Sequence, residues 1–299
     1  MKNLYNIVIL LSFAGLWLTS YLSGSIEIIL GFVLIFSFGI IHGSNDLLLI
    51  NSMSNSKNKY SITSVFLIYI LTVLATVITF YFFPSWALAL FIIFSAFHFG
   101  EQHWEHHNLK FKKSLVSLYY LIYGMLILHS LFLLNLYDVI EVVKAITGYS
   151  VEKRVFEYCF YVTIICFVLL SLFFSIKSAY FRVKLLTELF YLIIFVIIFK
   201  VSTLIWGFTI YFIFWHSIPS LFEQIKFIYG DFNKNTVLKY SAKAFPFWLF
   251  SVIGIGIMYF IFKDLTMFYA IFFSFIAAVT FPHSIVINLM FLTKKNKDN

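Results

Sequence analysis

The sequence predicts an all-α fold, a polytopic integral membrane helical bundle of about ten transmembrane helices and no fewer than eight, and three observations lead there. Of the 299 residues, 62% are hydrophobic and only 11% charged, with a mean hydropathy of +0.96; a soluble domain has roughly 25% charged residues. Apolar runs of about 20 residues, the length a helix needs to cross ~30 Å of hydrocarbon, follow one another from residue 4 to residue 292. The longest polar stretches are short connectors such as 51–59 and 231–243. One transmembrane domain over 1–299 is therefore expected, with its function inside the bundle.

In chain order the expected spans are 4–22, 27–50, 61–83, 85–105, 114–135, 154–176, 183–200, 203–225, 244–262 and 267–292. The first has a single basic residue before it, Lys2, and no small-x-small cleavage site, so it reads as a membrane helix rather than a signal peptide. With ten spans, the N-terminus, the connections 51–60, 106–113, 177–182 and 226–243, and the C-terminal tail share one side. Lys144, Lys153, Arg154, Lys200 and Lys263 fall on the other side, and the rest of the 21 basic residues fall on the first. The positive-inside rule then makes both termini cytoplasmic. The net charge of +8 is accounted for by those loops, and no nucleic-acid partner is expected. Cys159 and Cys166, seven apart in one apolar run, read as small hydrophobes rather than a disulfide.

Ionisable residues inside a membrane span are expensive, and each is by default a functional hypothesis. Four histidines qualify: His42 in GIIHGSND, His98 in AFHFGEQHW, His216 in FWHSIPS and His283 in FPHSIV. Each lies on a different even-numbered span, about 14 to 17 positions from its outer end, which at ~1.5 Å per residue puts all four within roughly 5 Å of one depth. A lone membrane histidine is more often an interhelical hydrogen bond; four at one depth point to a metal. Imidazole suits Zn, Cu, Fe and Ni alike, so spacing alone leaves the metal open, while an octahedral ion such as iron(II) keeps two positions for dioxygen. Ligating imidazoles pass their second N–H to a carboxylate, carbonyl or water, and Asp46, Glu101 and Gln102, one turn after His42 and His98, are the candidates for that role.

The segment 103–107, His-Trp-Glu-His-His, resembles a histidine box of membrane desaturases and hydroxylases, but those di-iron enzymes need several boxes and this chain has one. His106 and His107 are expected in a cytoplasmic loop, His103 is a reserve ligand, and His129 is structural. The 40 Phe and 19 Tyr suit lipid-facing and interfacial positions as well as a tunnel for a long conjugated substrate. Gly31, Gly39 and Gly43 form a small-residue stripe that allows close packing near His42. From the residues alone, a lipid desaturase or hydroxylase with two irons and a non-catalytic bis-histidine haem or transport protein stay open beside a mononuclear metal enzyme.

With these residues in view, the chain resembles the bacterioopsin-related protein and Brp-like protein family, the bacterial membrane β-carotene 15,15′-dioxygenases. The resemblance rests on His-Gly-x-x-Asp from His42 to Asp46, Phe-His-Phe-Gly-Glu at 97–101, Trp-His-Ser at 215–217, and Pro282-His283. It implies cleavage of the central double bond of β-carotene by O2 to two molecules of all-trans-retinal, at a non-haem Fe(2+) in the bacterial inner membrane, with the bilayer as the substrate's reservoir. It also implies iron-ligand roles for His42, His98, His216 and His283. One position departs from the pattern: Ser220 stands where a second histidine one turn after His216 is expected, which turns the fourth position over to His283, His103 or water. Pro219 is expected to kink the same helix and free a backbone carbonyl.

Overall fold

A computed structural model describes residues 2–53, 62–107, 109–261 and 265–298; most of the connector expected at 51–60, and Lys263, lie outside the described residues. In chain order the helices are α1 (Lys2–Thr19), α2 (Gly24–Leu34), α3 (Ile40–Gly43), α4 (Asp46–Met53), α5 (Ile62–Phe82), α6 (Pro84–Trp104), α7 (Lys113–Leu134), α8 (Leu136–Thr147), α9 (Lys153–Lys177), α10 (Ala179–Val201), α11 (Leu204–Ile210), α12 (Ile218–Tyr229), α13 (Lys234–Ile261) and α14 (Leu265–Asp298). Two π-helical segments, Ile35–Gly39 and Tyr211–Ser217, join α2 to α3 and α11 to α12, and a 3₁₀ turn, Glu105–His107, follows α6. Among the described residues there is no strand.

Local chemistry sets many of these boundaries. Proline at the first position starts α6, where its missing N–H costs nothing. Ser178 and Thr203 cap α10 and α11 by accepting the backbone N–H of Phe181 and Trp206. Helix α8 ends at Gly148, whose φ of 76° is left-handed and whose N–H reaches the Lys144 carbonyl, a conformation glycine adopts without strain. The sequence predicts no span over 136–147, where α8 forms. Its apolar residues recur at helical spacing, and only Leu136 and Val139 are buried.

Among the described residues, six helical stretches are long and apolar enough to cross a membrane: Gly24–Met53, Pro84–His107, Lys113–Leu134, Lys153–Lys177, Leu204–Tyr229 and Ile271–Lys294. Leu4–Thr19 and Phe66–Phe82 are apolar but shorter. Helix α10, where a span was expected over 183–200, carries Arg182, Lys184, Glu188 and Lys200. The outward faces are apolar: Leu10, Trp17, Leu169, Ile176 and Phe250 are all exposed, as suits a surface solvated by lipid rather than water.

The chain divides into two compact units. The first comprises Met1–Phe32, Ile92–Lys144 and Gly148–His216. Its interior is aromatic: Trp104 packs edge-on to Tyr119 and stacks on Phe181, and Phe195 packs edge-on to both Tyr211 and Trp215. The polar ends of these side chains are satisfied inside, as Trp215 Nε1 donates to Ser12 Oγ at 2.8 Å and Trp206 Nε1 to Thr19 Oγ1 at 3.1 Å. Buried Glu27 accepts the Thr203 N–H at the start of α11.

Helices α6 and α7 cross closely at two glycines. A Cβ added at Gly100 would overlap the Tyr120 carbonyl, and one at Gly124 would overlap the Ala96 carbonyl. The two crossings are reciprocal and four residues apart on each helix, and they bracket His98. Gly31 makes a looser contact of the same kind, with a Cβ position 2.8 Å from the Ile205 side chain.

The second unit comprises Val33–Phe91, Ala145–Thr147 and Ser217–Asn299. One of its cores gathers Leu49, Val286, Ile287, Met290 and Phe291; another gathers Phe80, Ala87 and Ala277. Trp248 Nε1 donates to the Phe36 carbonyl at 2.8 Å, inside the π segment, and Lys294 pairs with Glu223 at 3.3 Å.

Substituting Gly100→Ala or Gly124→Ala forces two helix backbones apart and should cost at least about 1–3 kcal/mol, while Gly254→Ala, with open space around it, should change stability by less than about 0.5 kcal/mol. Thermal unfolding of the detergent-solubilised variants checks this; equal midpoints for all three would show that the crossing does not hold the unit together.

Candidate functional site

In the second unit, His42 and His283 meet. His42 lies in α3, is buried, and donates Nδ1–H to the Gly39 carbonyl at the end of the π segment. Its ring lies edge-to-face with that of His283, centroids 4.7 Å apart. The chain leaves helix at Ser44 and Asn45 before α4 begins at Asp46. Asn45 fixes that break by donating Nδ2–H to the Tyr240 carbonyl at 2.9 Å.

Asp46, four residues after His42, turns to another histidine: its Oδ1 accepts Nδ1–H of His283 at 2.7 Å, and Oδ2 accepts the Tyr69 hydroxyl at 3.1 Å. A carboxylate can only accept, so the shared hydrogen sits on Nδ1 and the lone pair of a neutral ring on Nε2. Gly43 lies against this histidine, its Cβ position 3.7 Å from His283 Nδ1, which is ordinary contact. Ser220 is buried and accepts from Gln224 Nε2 at 3.0 Å; Gln224 Oε1 in turn accepts the Tyr240 hydroxyl at 2.6 Å.

In the first unit, His98 and His216 meet. Their centroids are also 4.7 Å apart, at 77°, and both rings are buried. Phe99 packs edge-on to His216 at 4.9 Å and Phe212 stacks on it at 5.5 Å, so this pair is walled by apolar rings. His216 lies in the π segment Tyr211–Ser217, and Pro219 sits in the first turn of α12. A proline ring clashes with the carbonyl four residues back, here Trp215. A wider π turn stands just before Pro219.

Glu101 and Gln102 are buried on α6, and the Gln102 carboxamide makes no hydrogen bond to a described residue. His103, the reserve ligand, is engaged elsewhere. Its Nδ1 lies 2.9 Å from Glu188 Oε2, which also accepts the Tyr123 hydroxyl at 2.6 Å. This group repeats the His283–Asp46–Tyr69 arrangement with a different acid. Sequence reasoning missed Glu188, although an acidic residue within the apolar run 185–199 was a visible signal. His107 packs against Trp104 and Tyr180, in the 3₁₀ turn that follows α6. His129 donates to Thr163 Oγ1 at 2.9 Å, the structural hydrogen bond expected of it.

The donor chemistry suits a metal at the level of pairs. A metal–imidazole bond of ~2.0–2.1 Å places each ring centroid ~3.2 Å from the ion, so two ligands at 90–109° have centroids ~4.5–5.2 Å apart. Both pairs fall in that range. In the pair His42–His283, both Nδ1 hydrogens go to oxygen acceptors, as ligating imidazoles require. Among the described residues, no group of three or more His, Cys, Asp or Glu side chains is disposed to hold a metal ion.

Removing the Glu188 carboxylate strands a buried histidine and a buried tyrosine, so Glu188→Ala should lose about 1–3 kcal/mol and Glu188→Gln, which keeps an acceptor, less. A thermal midpoint unchanged by either substitution would show that the group is not an energetic anchor.

The family model described as beta-carotene 15,15′-dioxygenase matches residues 33–291. No curated protein and no solved structure matches the chain.

Proposed function

The chain belongs to the β-carotene 15,15′-dioxygenase family, and on that premise we propose that it cleaves the central 15,15′ double bond of β-carotene with O2 to give two molecules of all-trans-retinal. The match over 33–291 carries the reading, and the two buried histidine pairs support its site. The carbon–carbon double bond and the O–O bond break, two carbonyls form, and each retinal takes one oxygen.

His98 and His216 in the first unit, and His42 and His283 in the second, are the residues that would hold iron(II), which would supply the binding and activation of dioxygen. The protein's own share is positioning and exclusion of water. The Gly39 carbonyl and the Asp46 carboxylate hold two of the imidazoles by their Nδ1 hydrogens. Phe99 and Phe212 give the His216 ring apolar neighbours, which suit a polyene and keep water from competing with it. Orienting the reacting bond beside the oxidant is the kind of contribution a rigid apolar wall makes.

The setting proposed is a bacterial inner membrane crossed about ten times, with both termini cytoplasmic, as the distribution of Lys and Arg supports. β-Carotene dissolves in the hydrocarbon, so it can reach buried histidines laterally without passing through water.

In cells that accumulate β-carotene, the protein should bleach the pigment and yield retinal, and His42→Ala, His98→Ala or His216→Ala should each abolish the product and the bound iron. Persistent colour without retinal, despite verified membrane insertion and iron supply, would contradict the reading. Iron retained in all three variants would contradict the ligand assignment.

A further inference from the structure

We propose that Asp46 and Tyr69 are positioning residues for His283, a hydrogen-bonded clamp that fixes the tautomer and ring direction of this histidine beside His42. The proposal rests on the reading of His42 and His283 as metal-binding, and it adds two residues from outside the histidine set.

The geometry singles out Asp46 for this work. It is 2% exposed and stands at the first position of α4, with Oδ1 bonded to His283 on α14. Each carboxylate oxygen has its own donor: Nδ1–H of His283 on Oδ1 and the Tyr69 hydroxyl on Oδ2. Tyr69 comes from α5, so three helices meet at one carboxylate. Such a charge inside an apolar interior is costly unless hydrogen-bonded, and both bonds hold it against rotation. A carboxylate on Nδ1 also makes Nε2 the more basic donor, as oriented histidine ligands in metal sites show.

His42 faces the same pair from a neutral acceptor, the Gly39 carbonyl. The two imidazoles therefore differ: one is backed by a carboxylate, the other by a peptide carbonyl. Asp46 should matter more to the strength of metal binding, while the π segment before His42 should matter more to where its ring sits.

The test uses the full-length protein purified in detergent, stripped of metal and titrated with Co(II), whose visible ligand-field bands report coordination, with Fe(II) binding measured in parallel. His283→Ala should lose most of the affinity. Asp46→Ala should bind about 10- to 100-fold more weakly with altered bands. Asp46→Asn, which keeps an acceptor for His283 and removes the charge, should fall between it and the unsubstituted protein, and Tyr69→Phe should weaken binding several-fold. Thermal unfolding of the metal-free proteins separates these effects from a loss of fold; if Asp46→Ala does not fold, Asp46→Asn and Tyr69→Phe carry the comparison. Unchanged affinity and bands in both of those variants would overturn the clamp and leave the proposed function standing. No Co(II) or Fe(II) binding by the unsubstituted protein would overturn the metal reading itself, and the clamp with it.

Discussion

A polar side chain surrounded by hydrocarbon must find its partner within the protein, because no water is there to replace it. That constraint organises both units. Asp46 and Glu188, acids from different helices, each take one histidine and one tyrosine hydroxyl. Trp206 and Trp215 pass their indole N–H to hydroxyls on α1, and Glu27 caps α11. Helices that lack a hydrophobic drive to associate in lipid are thereby held by close packing and by a few internal hydrogen bonds, two of which fix the directions of His283 and His103.

Backbone irregularity does the rest. Both π segments adjoin histidines: Ile35–Gly39 ends three residues before His42, and Tyr211–Ser217 contains His216. A π turn shifts every later side chain around the helix axis and loosens the regular ladder, and such turns recur at functional sites. The Gly39 carbonyl, at the end of one of them, is the acceptor for His42. On α6 a different device operates, since the glycine crossings with α7 bring two backbones together on either side of His98. Rigid placement on helices rather than loops is what a preorganised site needs.

Much of this was legible in the sequence, and the rest was not, for physical reasons. Spans such as 114–135 and 154–176 match α7 and α9 to within a residue, because an apolar run bounded by lysines is a strong local signal. The four histidines read as buried because ionisable residues rarely occupy such runs without a role. The partners of the histidines are a different matter. Asp46 was expected to serve His42, four residues away, and serves His283 instead, 237 residues away; no single-sequence pattern encodes that pairing. Helix α8 and Glu188 were visible and passed over, the first as amphipathic spacing closed by Gly148, the second as an acid within an apolar run. The π segments have only an indirect trace, Pro219 after one of them and back-bonding Ser37 within the other.

Whether the buried histidines hold iron for dioxygen chemistry, as proposed, is decided by the metal content and absorption spectrum of the purified protein, read beside retinal formation from added β-carotene. The expected result is bound iron, no Soret band, and retinal formed only when iron and O2 are both present. Haem in the spectrum, or an iron-free protein that still makes retinal, would contradict it.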